Sequence, residues 1–463
     1  MLLDDISFQL ILSVELSLFG IFIYLSFLKF KVIFNPVSIL TVWWIGWLLV
    51  SNISLTGIPA PSVYLQILVL LMLSSYFLGF LLIKKTIKKR VSTKSLEAFI
   101  NKSSPFLKWL LIITALSMIP LVFGFIKLTL SGYLDGDVGS LRVKVFDDEF
   151  LFGDPRIGFI YRILVYPLQL FTLILSTFFL VNGKSGYFYI SCITFVVKSI
   201  CTFGRAEFFY LFYFALVAYL LNNGKSKLFF ESVRILFHRI IKLITFSDTK
   251  KNMRTSIVFL IVCITIISSL SYLGSMRTES LEKNKNQNSL VSGSIEQFID
   301  YNTMGFRLLD LEIHNPSSYL NDNLFLGRAT LGGFELTIRS FLRLDLITQY
   351  YEMALYQQEN RVEVAPGKRY NAYYTILYNL YIDGRYISIF LFPFLSGILT
   401  SWIYQGWLKN GNIESLFYSI LIVDALILSI YKDFVSSQSF VMIIFFSGIL
   451  FKCYSIKSKL VNK

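Results

Sequence analysis

Arg205 and Glu207 flank Ala206 in FGRAEF (203–208), inside an otherwise apolar stretch running from Tyr187 to Leu221. A charge at bilayer depth costs a few kcal/mol at least, so such residues are kept for function or displaced to a surface. A guanidinium at this place has two uses. It can pair with Glu207 or a neighbouring helix end, or it can seat a phosphate with its rigid fork of donors. A second group lies in RYNAYYTILYNLYIDGRYISIFLF (369–392), where Asp383, Gly384 and Arg385 break an aromatic-rich stretch. Asp383 can cap a helix end, pair with Arg385 or act as a base. The tyrosines of 370–381 read as amphipathic and interfacial, either as membrane anchors or as stacking faces for sugar rings.

The elements that must position these groups are membrane spans. The chain has 463 residues, 55% hydrophobic and 17% aromatic, with a mean hydropathy of +0.63. Charged residues make up 16%, against about 25% in a soluble domain. Apolar runs long enough to cross about 30 Å of hydrocarbon recur along the whole length. The composition therefore excludes a soluble globular protein and implies an all-α polytopic membrane protein. The net charge of +14 follows from lysine placement in loops rather than from nucleic-acid binding. Cys192, Cys201, Cys263 and Cys453 lie in or beside apolar runs without metal-ligand spacing. With His238 and His314 as the two histidines, no zinc site is expected. No nucleotide motif or internal repeat is present.

Eleven transmembrane helices are expected, at about 6–28, 37–55, 63–83, 106–130, 159–181, 187–203, 206–222, 256–274, 386–406, 413–431 and 436–455. The start, MLLDDISFQL, has no basic region or small-residue cleavage site and reads as a retained first span. Loop 84–102, loop 222–256 and the tail after 455 are rich in lysine and fall on one side of this threading. That side is expected to be cytoplasmic, with the N-terminus outside and the C-terminus inside. The chain then divides into 1–274, with eight spans and an outer segment at 131–158; a large outer loop at 275–385; and 386–463, with three spans and the tail. A connection as long as the large loop is expected to fold. Its stretch FELTIRSFLRLDLITQYYEMALYQQ (334–358) has helical apolar spacing, so short interfacial helices are expected rather than strands.

The large loop is rich in arginine: Arg277, Arg307, Arg328, Arg339, Arg343, Arg361, Arg369 and Arg385, against Lys283, Lys285 and Lys368. Topology disfavours arginine outside. These side chains either pair with the loop's own acids, such as Glu296, Asp310, Glu335 and Asp345, or serve an anionic ligand. Arg142, Arg156, Arg205 and Arg277 are expected at one level of the outer leaflet, ringing a cavity. Such a cavity suits a ligand with a lipid tail and an anionic head, such as a polyprenyl-pyrophosphate sugar.

Three features together with this topology carry a family resemblance: FGRAEF (203–208) at an outer hairpin, GSMR (274–277) after the span that opens the large loop, and NAYYT…YIDGR (371–385) leading into the next span. The chain resembles the Wzy-type polymerases of O-antigen and oligosaccharide repeat units. The resemblance implies a GT-C-like, metal-independent glycosyltransferase of the bacterial inner membrane, without a cofactor. It would transfer a glycan from one undecaprenyl pyrophosphate to a hydroxyl of the next lipid-linked unit at the outer face. Membrane lipids and a chain-length regulator are further partners in this reading. By position, Arg205 and Arg277 would bind pyrophosphate, and more weakly Arg142, Arg328 and Arg369. Asn371, Tyr373 and Tyr374 would bind sugar.

The departing pyrophosphate needs fixed cations, and the attacking hydroxyl needs a base. Asp383 and Glu207 are the first candidates for that base, with Glu296 and His314 also open. Related O-antigen ligases carry histidine–asparagine before glycine where this chain has Tyr370-Asn371, which disfavours a ligase. A lipid-linked oligosaccharide flippase is the remaining class. Internal repeats and midplane charge paths, common in transporters, are not evident here.

Overall fold

The structure is a computed structural model. It describes residues 2–84, 94–130, 152, 154–182, 184–202, 206–223, 290–342, 349–360, 362–370, 374–430 and 433–461. The described chain is mostly helical. In order run α1 (Leu2–Phe30), α2 (Pro36–Ile53), α3 (Val63–Leu82), α4 (Lys94–Leu116) and α5 (Ile119–Leu130). Next come α6 (Pro155–Ile160), a π-helical turn (Tyr161–Val165), α7 (Tyr166–Val181), α8 (Gly186–Thr202) and α9 (Ala206–Asn223). The later part holds α10 (Leu290–His314), α11 (Tyr319–Asp322), α12 (Gly332–Leu342), α13 (Gln349–Glu359), β1 (Val362–Ala365), β2 (Lys368–Tyr370), α14 (Ile376–Asn410), α15 (Ile413–Leu428) and α16 (Gln438–Val461).

Among the described residues, six helical stretches are long and apolar enough to cross a membrane: Leu12–Phe30, Pro36–Ile53, Val63–Leu82, Leu96–Leu128, Arg156–Val181 and Ile376–Asn410. Gly186–Thr202, Glu207–Leu221 and Gln438–Cys453 are apolar but shorter. Helix α15 has 16 residues and carries Glu414 and Asp424. At 1.5 Å per residue such a helix covers only about 24 Å. The chain is thus a multi-pass membrane protein. The expected span at 256–274 lies outside the described residues. The expected span at 106–130 is two helices, broken at Ser117 and Met118.

Polar contacts sort the loops to two ends of the bundle. At one end the Lys29 ammonium donates to the carbonyls of Phe80 (2.6 Å) and Leu81 (3.1 Å), and Lys184 donates to Asn101 (2.8 Å). At the other, Ser62 donates to Asp310, Lys368 to the Thr56 carbonyl (2.8 Å), and the Ile376 N–H to the Ser429 carbonyl (2.8 Å). Loops 54–62 and 429–437 therefore meet the segment 290–376, as alternate threading requires. Helices α3 and α14 cross without side chains between them. A Cβ on Gly79 would lie 2.0 Å from the Phe394 carbonyl oxygen, and one on Gly397 would lie 2.1 Å from that of Tyr76. Backbone contact through small residues is how helices associate where lipid gives no hydrophobic drive.

The large loop is not helical throughout. β1 and β2 form an antiparallel hairpin, pairing Val362 with Tyr370 and Glu363 with Arg369 around the positive-φ Gly367. The period-two signal over so few residues is too short to separate from helix. Helix α12 matches the amphipathic expectation. Phe334, Ile338, Phe341 and Leu342 are exposed. Its other face meets the start of α16, where Gln438 donates to the Leu336 carbonyl (2.8 Å) and to Ser340 (2.7 Å).

Candidate functional site

The first turns of α14 organise the polar end. Thr375 caps the helix by accepting the Leu377 N–H, and residues 376–383 are all buried. This corrects the interfacial reading of the tyrosine stretch: Tyr374, Tyr378 and Tyr381 face protein. The helix breaks where the sequence places the break. Gly384 and Arg385 leave helical geometry, Arg385 with φ 54° and ψ −133°. Left-handed φ in a non-glycine residue is strained and persists only where its surroundings hold it.

Those surroundings are the segment 320–330. The Asp383 carboxylate accepts the N–H groups of Ala329 and Thr330, both at 2.8 Å. The N–H groups of Phe325 and Leu326 donate to the carbonyls of Ile382 (2.9 Å) and Asp383 (3.0 Å). The Arg385 guanidinium donates to the carbonyls of Leu320 (2.7 Å), Asn321 (2.8 Å) and Asn323 (3.1 Å), and lies 4.7 Å from the Tyr381 ring. Asp383 and Arg385 thus grip the same loop rather than each other. A buried carboxylate with both oxygens on backbone amides is built to hold a turn.

That turn carries Arg328. Its Nε and Nη2 reach the two Glu335 oxygens at 3.2 Å each, and Nη1 reaches Gln349 at 3.1 Å, with the side chain about half exposed. Leu324, Leu326 and Phe334, within a few residues of it in sequence, are exposed. Arg369 pairs with Glu363 (3.1 Å) and is largely exposed. Arg307 pairs with Asp310 (3.1 Å). Arg307, Arg328 and Arg369 are therefore matched by the loop's own acids, as one of the two sequence readings had it.

Behind the turn lies a layer around Glu312, which is buried. It accepts from Ser318, Asn360 (2.9 Å), Tyr374 (3.3 Å) and Tyr356 (3.4 Å). Burial, and then the Glu312 charge, push the Tyr374 phenol above its ordinary value. Tyr374 so placed donates to a carboxylate inside the fold. Nearby, Lys368 bridges Glu296 (2.7 Å) and Asp300 (2.9 Å). Burial alone would lower the Lys368 ammonium, yet the two carboxylates hold it above its usual value.

Glu207 sits apart from this layer. It pairs with Lys198 of α8 at 2.9 Å, both buried, and the Lys198 ammonium lies 3.1 Å from the centroid of the Tyr166 ring. Tyr166 follows the π-helical turn, a local widening often found at functional sites. An apolar groove of about 400 Å³ opens between α5 and α8, lined by Met118, Ile119, Phe123, Ile126, Ile193 and Val197. Val197 adjoins Lys198, so one stretch of α8 faces both the groove and the ion pair.

Asp383, Arg328 and Tyr374 therefore belong to one packed layer, while Arg369 lies on the β-hairpin and Glu207 in the bundle. Arg142, Arg205, Arg277, Asn371 and Tyr373 lie outside the described residues. Sequence reasoning undervalued a group at the C-terminus of α10. Asp310 accepts from Ser62 and Arg307, and His314 Nδ1 lies 2.8 Å from the Asp310 carbonyl and 3.3 Å from its carboxylate. The signal was present as Asp310 and His314 four residues apart on one helix face. No family model, curated protein or solved structure matches the chain.

Proposed function

We propose that the protein is a bacterial inner-membrane glycosyltransferase with a GT-C-like fold that polymerises undecaprenyl-pyrophosphate-linked oligosaccharide units at the outer face. The reading rests on the family resemblance of the sequence. The observation that carries it further is the placement of Arg328. A turn clamped by Asp383 and Arg385 carries this half-exposed guanidinium in a segment whose Leu324, Leu326 and Phe334 are also exposed. A fixed cation at an apolar border suits a ligand whose anionic head stands on a lipid tail. The groove between α5 and α8 suits part of such a tail.

In this reading Arg205, Arg277 and Arg142 hold pyrophosphate together with Arg328 and Arg369. Charge developing on the leaving pyrophosphate is met by fixed guanidinium groups. Asn371 and Tyr373 border the sugar path, and Tyr374, buried on Glu312, anchors that segment to the fold. The geometry of Asp383 and Glu207 favours positioning roles over proton transfer, since each carboxylate is buried and engaged. A chain-length regulator would dock on the outer loop.

Deletion of the gene in its host, with gel analysis of surface polysaccharide, tests the proposal. Collapse of the ladder to one repeat unit supports it. Full-length polymer left on its carrier would instead indicate a ligase, and repeat units trapped inside a flippase.

A further inference from the structure

We infer that His314, oriented by Asp310, is the general base that deprotonates the acceptor hydroxyl. This rests on the glycosyltransferase reading above. His314 Nδ1 faces two oxygens of Asp310, the backbone carbonyl at 2.8 Å and the carboxylate at 3.3 Å. Both are acceptors, so Nδ1 carries the proton and Nε2 the lone pair. A carboxylate behind an imidazole sets its tautomer and its orientation. Asp310 is itself fixed: it is buried, and accepts from the Ser62 N–H (3.0 Å), the Ser62 hydroxyl and Arg307 (3.1 Å).

His314 differs from the other candidate bases in access. Its side chain is 56% exposed, whereas Asp383 and Glu207 are buried. It is also flanked by rings that fit a sugar. Tyr64, at the start of α3, meets His314 edge-on with centroids 6.1 Å apart. Tyr64 and Tyr386 share a hydrogen bond between their hydroxyls at 2.5 Å, and Tyr386 is half exposed. Tyr386 directly follows Arg385, so the clamp that positions Arg328 also positions this ring. The lipid side is close, because Ile67, Ile387 and Leu391 are exposed on the same two helices. Among the described residues His314 meets Asp310 on α10 and Tyr64 on α3, with Arg307 on the far side of Asp310 and Tyr386 of α14 on the Tyr64 hydroxyl.

The step balances within these groups. Nε2 takes the proton of the acceptor hydroxyl as its oxygen bonds to the anomeric carbon. The bond from that carbon to the pyrophosphate oxygen breaks, and its electron pair leaves with the lipid pyrophosphate. The imidazolium is stabilised by Asp310 and returns its proton to water. Asp310 is a positioning residue.

Membrane vesicles from the host, carrying its own lipid-linked units, provide the assay. In wild type the rate of chain extension is expected to rise with pH along a limb. His314→Ala is expected to slow extension about 100-fold, to abolish the limb, and to recover in part with added imidazole. Asp310→Asn is expected to slow extension and shift the limb. His314→Ala at the wild-type rate would overturn the inference. So would a slow His314→Ala enzyme that keeps the limb and ignores imidazole, as a residue that merely closed α10 would. Wild-type vesicles that never extend chains would show instead that the glycosyltransferase reading fails, and would remove this inference with it.

Discussion

The carboxylate of Asp383 and the backbone of Thr330 meet at 2.8 Å, tying the end of a buried helix to a loop 53 positions away in the chain. The Ala329 N–H occupies the second oxygen at the same distance. One side chain therefore sets where the loop bearing Arg328 stands relative to the mouth of α14.

If Asp383 acts as a clamp, Asp383→Ala should cost about 3 kcal/mol through two lost charge-assisted bonds. Thermal unfolding in detergent should report a lowered Tm together with lost chain extension. Asp383→Asn keeps one acceptor oxygen and should retain part of both. An Asp383→Asn protein as stable as wild type but wholly inactive would assign Asp383 to proton transfer instead.

The crossing of α3 and α14 leaves no room for a side chain at Gly397. Gly397→Val must push backbone against backbone and should destabilise the bundle by more than about 3 kcal/mol. Loss of folded protein in membranes, seen as protease sensitivity of the segment between α9 and α14, is the readout. Gly46, with open space at its Cβ position, should accept alanine and serves as control.

Asp433 predicts a pH effect on stability. Burial pushes its carboxyl up to about 6 from 3.8, against the pull of Asn379 and the backbone of Val435 and Ser436. The folded-state value lies above the unfolded one. The favourable contribution is therefore complete below about pH 4 and is lost as pH rises through about 6. Its size is on the order of 1–3 kcal/mol. Thermal midpoints of wild type and Asp433→Asn should diverge in favour of the variant above pH 6, and a constant difference across pH 4–7 would refute the assignment.

For Arg205, the proposed pyrophosphate site demands fork geometry. Arg205→Ala and Arg205→Lys should both stop chain extension, with the protein still inserted and expressed. A fully active Arg205→Lys variant would show that charge alone suffices there.

Sequence by itself determined the class and much of the segmentation. Apolar run length and lysine placement act locally, so multi-pass membrane topology and most helix positions follow without tertiary information. The break at Asp383-Gly384-Arg385 was legible because glycine and charge interrupt an apolar helix. The exposed apolar side of α12 was legible from helical periodicity.

Tertiary structure alone decided what the polar residues meet. A tyrosine-rich stretch reads the same whether it lines an interface or a protein interior, and here the layer around Glu312 buries it. The sequence offers Glu335 as one of several acids for the loop's arginines, and the fold pairs it with Arg328. Ser62 and Asp310 are separated by 248 positions, and only the packing of α10 across α3 makes them neighbours. That packing also holds Asp310, the residue that His314 Nδ1 faces, in place. Partners far apart in sequence, such as Ser62 and Asp310, are settled by which helices cross and not by the residues that flank them.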